Sequence, residues 1–415
     1  MPDVAPLPER ARLFHVGIPK SGTTSLQMAA SAGRETLRAN GVLYPGTKLN
    51  QRDAVLGFME RRWGWTSAGI PPRRYWDEVM AEIEADTERR VLFGHEFASE
   101  SNAETAKRFI DAIGERTHVV VTLRSPGTIL PSAWQQYVKA GVPIAFDDWL
   151  GSVIADPPDR NVTKGFHDRN DQAGVVQRWA EAAGADRVTV VVLDKRRPEL
   201  LYGTFEQLLD LPSGTLAAQE LGGFASNRGL SVPEAELFLA LNEVIRPNDV
   251  QWPDFQRMVR NGAIRRIMES RDAGEEKLQL PPWAVKRAAE IGAGYADAIA
   301  ATGVQVVGNL AQLAEEVPPR PHDDPPPNHI PVELAAEALA GMLSAATSRG
   351  AFFDPVVDDK SVEKSVDKSE ERAVAMRRAK VKRMARKSTT KEVVWFATGF
   401  IGAKLQKLIR MISRR

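Results

Sequence analysis

Cysteine is absent from the 415 residues, which excludes disulfides, thiolate metal sites and a cysteine nucleophile. The absence fits a reducing compartment. No apolar run approaches the ~18–20 residues that span a bilayer. The N-terminal stretch MPDVAPLPERARLF carries Asp, Glu and three prolines and lacks an apolar signal core. The six histidines (His15, His95, His118, His167, His322 and His329) show no metal-ligand spacing, so no metal is expected. No internal repeat is visible. Taken together, these absences read as a cytoplasmic chain.

What is present is enough for a folded body. Apolar residues make up 43% of the chain, the ordinary share for a globular core, and the length suits one large α/β domain with appendages. The net charge of +1 hides a split. From Lys360 to Arg415 there are 17 Lys/Arg and five Asp/Glu, a net of +12. The residues before them hold 38 and 49, a net of −11. An acidic body with a basic tail follows.

Short apolar runs at Leu13–Ile18, Val91–Phe93, Val119–Leu123 and Val188–Leu193 read as strands. Helical patterns occupy about Thr23 to Arg38, Ala103–Ile113, Thr128–Lys139 and Asp171–Ala183. Buried strands alternating with helices predict a parallel, helix-covered sheet, with ligands at the carboxyl ends of its strands. Met59–Trp76, with Trp63, Trp65, Tyr75 and Trp76, reads either as a long loop over an acceptor pocket or as a satellite cluster packed on the body. The domain spans 10–316. A Pro-rich linker follows at 317–331, then a short helix at Val332–Thr347 and a low-complexity segment to 372. A basic amphipathic tail closes the chain at 373–415.

The first polar cluster is Gly17-Ile18-Pro19-Lys20-Ser21-Gly22-Thr23-Thr24, between a strand and a helix. Such a turn aims backbone N–H groups and the positive helix end at an anion. A nucleotide P-loop places a lysine where Thr23 stands; here the lysine comes earlier, at Lys20. A second cluster, Val119-Val-Val-Thr-Leu-Arg124-Ser125-Pro126, ends a strand with an arginine, and Ser132 follows on the next helix. Arginine with a helix-borne serine can grip a phosphate.

Pro19 through Thr24, with Leu26, resembles the 5′-phosphosulfate loop of sulfotransferases that use 3′-phosphoadenosine-5′-phosphosulfate (PAPS), in particular the bacterial sulfotransferase-like branch. Arg124 and Ser132 are similar to that family's 3′-phosphate grip, although Ser125 replaces the usual aspartate. Arg228, in Ser226-Asn227-Arg228-Gly229, is a candidate for the loop that closes over the 3′-phosphate, without the Arg-Lys-Gly of cytosolic members. The resemblance covers about Arg12 to Leu241. It implies a P-loop-type three-layer α/β fold and in-line sulfuryl transfer from PAPS to a hydroxyl or amine, with 3′,5′-bisphosphoadenosine (PAP) as product and no metal. Lys20 would steady charge on the bridging oxygen. Pro19, Ser21, Gly22, Thr23 and Thr24 would hold the 5′ side, and Arg124 and Ser132 the 3′ side. His95-Glu96, at the second strand end, supplies the base. Adjacent residues of an extended chain point opposite ways, so one of the two faces the sulfur, and Glu96 is favoured over His95. His167 and Asp168 lie in a polar loop, Thr163–Asn170, that reads as solvated or as touching the acceptor.

The acceptor class stays open among carbohydrate, lipid and small metabolite. Glu392–Arg415 places apolar residues at helical spacing beside Lys404, Lys407, Arg410, Arg414 and Arg415. This pattern suits peripheral contact with an anionic membrane, at the inner membrane face, or docking on the acidic body of its own chain or of a second copy in a homodimer. Nucleic acid binding is disfavoured, because the aromatics sit in the apolar segment rather than among the basic residues. The competing functions are a P-loop kinase or NTPase and a non-catalytic nucleotide-fold adaptor.

Overall fold

The structure is a computed structural model that describes residues 4–62, 69–161, 165–217, 228–245, 250–270, 277–321 and 329–347. Trp63, Trp65, Thr163, Ser226, Asn227, His322, the low-complexity segment from Lys360 and the basic tail lie outside the described residues.

The core is a parallel sheet of six strands: β1 (Arg12–His15), β2 (Val42–Leu43), β3 (Arg90–Gly94), β4 (Thr117–Leu123), β5 (Val188–Val192) and β6 (Gln305–Val307), in the order β2-β3-β1-β4-β5-β6. The register pairs Phe14 with Phe93 on one side and Val119 on the other. Beyond the ladder, Val16 N donates to Val120 O and Ile18 N to Thr122 O, so the backbone pairing runs to Ile18, as the apolar run suggests.

Strand alternation sorts the side chains into two layers. Phe14, Phe93, Val119, Val121 and Val190 face one core, under helices that include Ala103–Ile113 and Gln172–Ala183. Leu13, Leu92, Val120 and Val191 face the other, under Thr23–Ala32 and Glu199–Leu208. Strands covered on both faces are mostly apolar, and β4 and β5 are valine-rich, with Thr117, His118, Thr122 and Thr189 as their polar residues. The helices start and stop on local signals. Asn102 and Asp171 accept from Thr105 N (2.8 Å) and Gly174 N (3.1 Å) as N-caps, and Gly114 and Gly184 end the same two helices at positive φ.

Several elements differ from the sequence reading. The first helix is two, Thr23–Ala32 and Arg34–Ala39, separated at Gly33. Tyr75 and Trp76 belong to a helix, Arg74–Ala85. Trp76 is buried in the core against Phe58, with ring centroids 4.4 Å apart. The segment expected as a linker begins on the body: Arg320 N donates to Leu280 O, and its guanidinium pairs with Asp147. The helix Val332–Thr347 forms where the pattern places it and packs on a π-helical segment, Gln256–Ile264. No described helix is long and apolar enough to cross a membrane.

Candidate functional site

Parallel strands carry their loops to one edge. Here four adjacent strands, β3, β1, β4 and β5, end in His95-Glu96, the glycine loop, Arg124 and Lys195 in turn. This is the crevice where open α/β sheets bind ligands.

The loop after β1 holds two left-handed residues, Lys20 at φ 71° and Gly22 at φ 80°. Gly22 is the N-cap of Thr23–Ala32 and gives it no side-chain cap, so the first amides of that helix are open toward the crevice. Among the described residues the hydroxyls of Thr23, Thr24 and Ser132 have no hydrogen-bond partner. Ser21 differs from the sequence expectation. Its side chain turns under the loop, donating to Ile18 O at 2.6 Å and lying 2.7 Å from Thr122 Oγ1. Pro19 and Lys20 form the tip.

Glu96 and His95 take distinct positions. Glu96 Oε2 accepts from Gln27 Nε2 (3.1 Å), and Gln27 Oε1 accepts from Asn50 Nδ2 (2.9 Å). His95 is buried. Its Nδ1 accepts from Phe97 N at 3.2 Å, which leaves the proton of the neutral ring on Nε2, 3.4 Å from Glu96 Oε2. Burial lowers the His95 pKa. Burial alone would raise the Glu96 carboxyl, but His95, the backbone and the Gln27 amide together bring it below the ordinary carboxylate range. Glu96 is thus an oriented carboxylate beside a neutral imidazole. Nearby, Glu100 pairs with Arg61 (3.0 Å) and with Arg169 (3.6 Å) of the short helix Phe166–Asn170, which also carries His167 and Asp168.

Positive charge gathers in two groups. Burial lowers the Lys20 pKa, Glu96 opposes that shift and Arg260 adds to it. Burial lowers Lys139, at the end of helix Pro126–Val138, to about 8, and the charges of Lys20 and Arg260 act in the same direction. These three residues form the first group. The second lines a cavity of about 500 Å³ with Arg124, Ser132, Lys195 and Lys277 on its wall. Burial lowers Lys195, and the fields of Arg124 and Lys277 lower it further. Among the described residues, none of Lys20, Lys139, Arg124, Lys195 and Lys277 forms an ion pair with a carboxylate. Asp194, next to Lys195, is engaged by Arg196 at 3.0 Å.

Arg228 reaches the same cavity, but its guanidinium is bound up in the wall. It meets Glu234 with two bonds of 2.7 and 2.8 Å and donates to Ile267 O. Gln135 brackets Leu230, accepting from its N–H at 2.7 Å and donating to its C=O at 3.2 Å, while Ser231 bridges to Lys277. The wall of residues 228–231 is therefore tied to helix Pro126–Val138 on one side and to Lys277 on the other.

A solved structure similar to this chain is a sulfotransferase from Alicyclobacillus acidocaldarius. It is 18% identical, with a TM-score of 0.38, over 60% of this chain and 99% of that one. No family model and no curated protein matches.

Lys139, Lys195, Arg260 and Lys277 were not candidates from sequence. Single basic residues on a helix end, a loop or a surface helix look like solvated charges; only the fold sets them around the crevice. Among the described residues no cluster of His, Asp and Glu has the makings of a metal site.

Proposed function

We propose that this protein is a sulfotransferase that takes PAPS as donor and transfers its sulfuryl group to a hydroxyl or amine of a carbohydrate, lipid or small metabolite. The observation that carries the proposal is two sets of cations around one crevice, Lys20 with Lys139 and Arg124 with Lys195 and Lys277, none of which pairs with a carboxylate among the described residues. Like charges gathered at one crevice repel each other, and a ligand with two anionic ends relieves both sets. PAPS supplies an activated sulfuryl group on its 5′ side and a phosphate on its 3′ side.

In this reading the 3′ side is held by Arg124, Lys195, Lys277 and the Ser132 hydroxyl. The 5′ side is held by the open amides at the start of helix Thr23–Ala32, the Thr23 and Thr24 hydroxyls and Lys20. Lys139 and Arg260 add positive charge on that side. Arg228, paired with Glu234, shapes the cavity wall instead of gripping phosphate. Glu96 is the base: ionised and oriented by Gln27, it takes the acceptor proton. His95 holds no charge near neutral pH and positions Glu96.

Incubation with radiolabelled PAPS and a mixed panel of hydroxyl and amine acceptors tests the reading. Labelled product is expected from the wild type. Glu96→Gln is expected to slow transfer about a hundredfold or more while binding PAP within about twofold of the wild type. Wild-type transfer by Glu96→Gln contradicts its role as base. Absence of labelled product across the panel, together with no PAP binding, overturns the proposal.

A further inference from the structure

The last five residues of β4 read Val119-Val120-Val121-Thr122-Leu123, an apolar stretch with one hydroxyl. Thr122 is fully buried, as are Ser21 and, at 3% exposure, His15. A hydroxyl in such a place needs partners. Thr122 Oγ1 lies 3.1 Å from His15 Nε2 and 2.7 Å from Ser21 Oγ. His15 and Thr122 meet because both face the Thr23–Ala32 side of adjacent parallel strands, and the His15 ring is braced edge-on by Phe205, centroids 5.0 Å apart.

Counting protons gives the direction. Ser21 has one hydroxyl proton and donates it to Ile18 O at 2.6 Å. The contact between Ser21 and Thr122 must then use the Thr122 proton, so Thr122 in turn accepts from His15 Nε2–H. The chain runs one way, from His15 to Thr122 to Ser21 to the Ile18 carbonyl. Thr122 also accepts the Ile18 N–H on its own carbonyl at 3.2 Å. One residue thus grips both ends of the turn Ile18-Pro19-Lys20-Ser21. Lys20, at the tip, is a non-glycine residue in the left-handed region, a conformation that persists only where its surroundings hold it. Gly17 has no side chain because one would collide with the Thr122 hydroxyl and the His15 ring.

We infer that Thr122, with His15 behind it and Ser21 in front, is a positioning residue that holds Lys20 in its left-handed turn for the 5′ end of the nucleotide. The inference rests on the proposed donor site and deepens it. It separates the two ends of the ligand. Cutting the chain should weaken contacts to the 5′ group and spare the 3′ group at Arg124.

Calorimetric titration with PAP and with 3′-AMP, which lacks the 5′-phosphate, reads this separation. The wild type is expected to bind PAP more tightly than 3′-AMP. Thr122→Val, similar in shape but without the hydroxyl, is expected to lose about tenfold in PAP affinity and to bind 3′-AMP within about twofold of the wild type. Thr122→Ser is expected to restore PAP binding. Ser21→Ala cuts the chain at its far end and is expected to show the same selective loss, which keeps the test open if Thr122→Val folds poorly. Equal loss for both ligands, or wild-type PAP affinity in both Thr122→Val and Ser21→Ala, overturns the inference. Failure of the wild type to bind PAP overturns the donor site itself, and the inference with it.

Discussion

The pair His95-Glu96 shows how single hydrogen bonds give two neighbours different surroundings. The sequence offers two candidate bases side by side. In the fold the imidazole accepts a backbone N–H and is buried, while the carboxylate is held by the Gln27 amide. Burial also acts on His15, whose pKa falls to about 4 from 6.5. The unfolded chain therefore binds more protons than the folded one between those values. Stability is full above the unfolded value and is lost as pH falls from 6.5 toward 4. The loss from this residue is at most about 3 kcal/mol. His118, which burial also lowers to about 4, acts in the same direction. Urea unfolding between about pH 7 and about pH 4.5 checks this. His15→Gln is expected to flatten the dependence of unfolding free energy on pH, and an equally steep dependence in the variant contradicts it.

Among the elements, the strands show where sequence is readable. β1, β3, β4 and β5 are apolar runs with breakers after them, and they were legible. β2 has two residues, and β6 has three and begins with Gln305; both are too short to carry a pattern. The docking of Val332–Thr347 was not legible either, because it depends on backbones meeting at Gly262 and Gly341. A side chain at Gly341 would strike the Gly262 backbone. Gly341→Leu is expected to lower the unfolding free energy by about 2 kcal/mol. Gly294 sits in the helix Pro282–Ala300 with open space around it. Gly294→Ala is expected to raise stability by up to about 1 kcal/mol. Denaturant titration measures both, and equal effects of the two substitutions contradict the packing account.

For the whole molecule, the strand-end positions of the glycine loop and Arg124 were legible because each follows an apolar run; that they and Ser132 hold phosphate is the proposal, drawn from a resemblance. Lys139, Lys195, Arg260 and Lys277 were not, since no local pattern tells an inward charge from a solvated one. The sheet order sets β1 between β3 and β4, with β5 next, so His95-Glu96, the glycine loop, Arg124 and Lys195 end on one edge, and Lys139, Arg260 and Lys277 come to it from helices and a loop. We propose that this crevice holds a nucleotide with two anionic ends. Metal-free calorimetric titration with PAP, beside ATP with Mg²⁺, tests it most directly. The wild type is expected to bind PAP, with affinity reduced about tenfold or more in Arg124→Ala and in Lys277→Ala, and to bind ATP more weakly than PAP. Tight Mg²⁺-dependent ATP binding without PAP binding would contradict it.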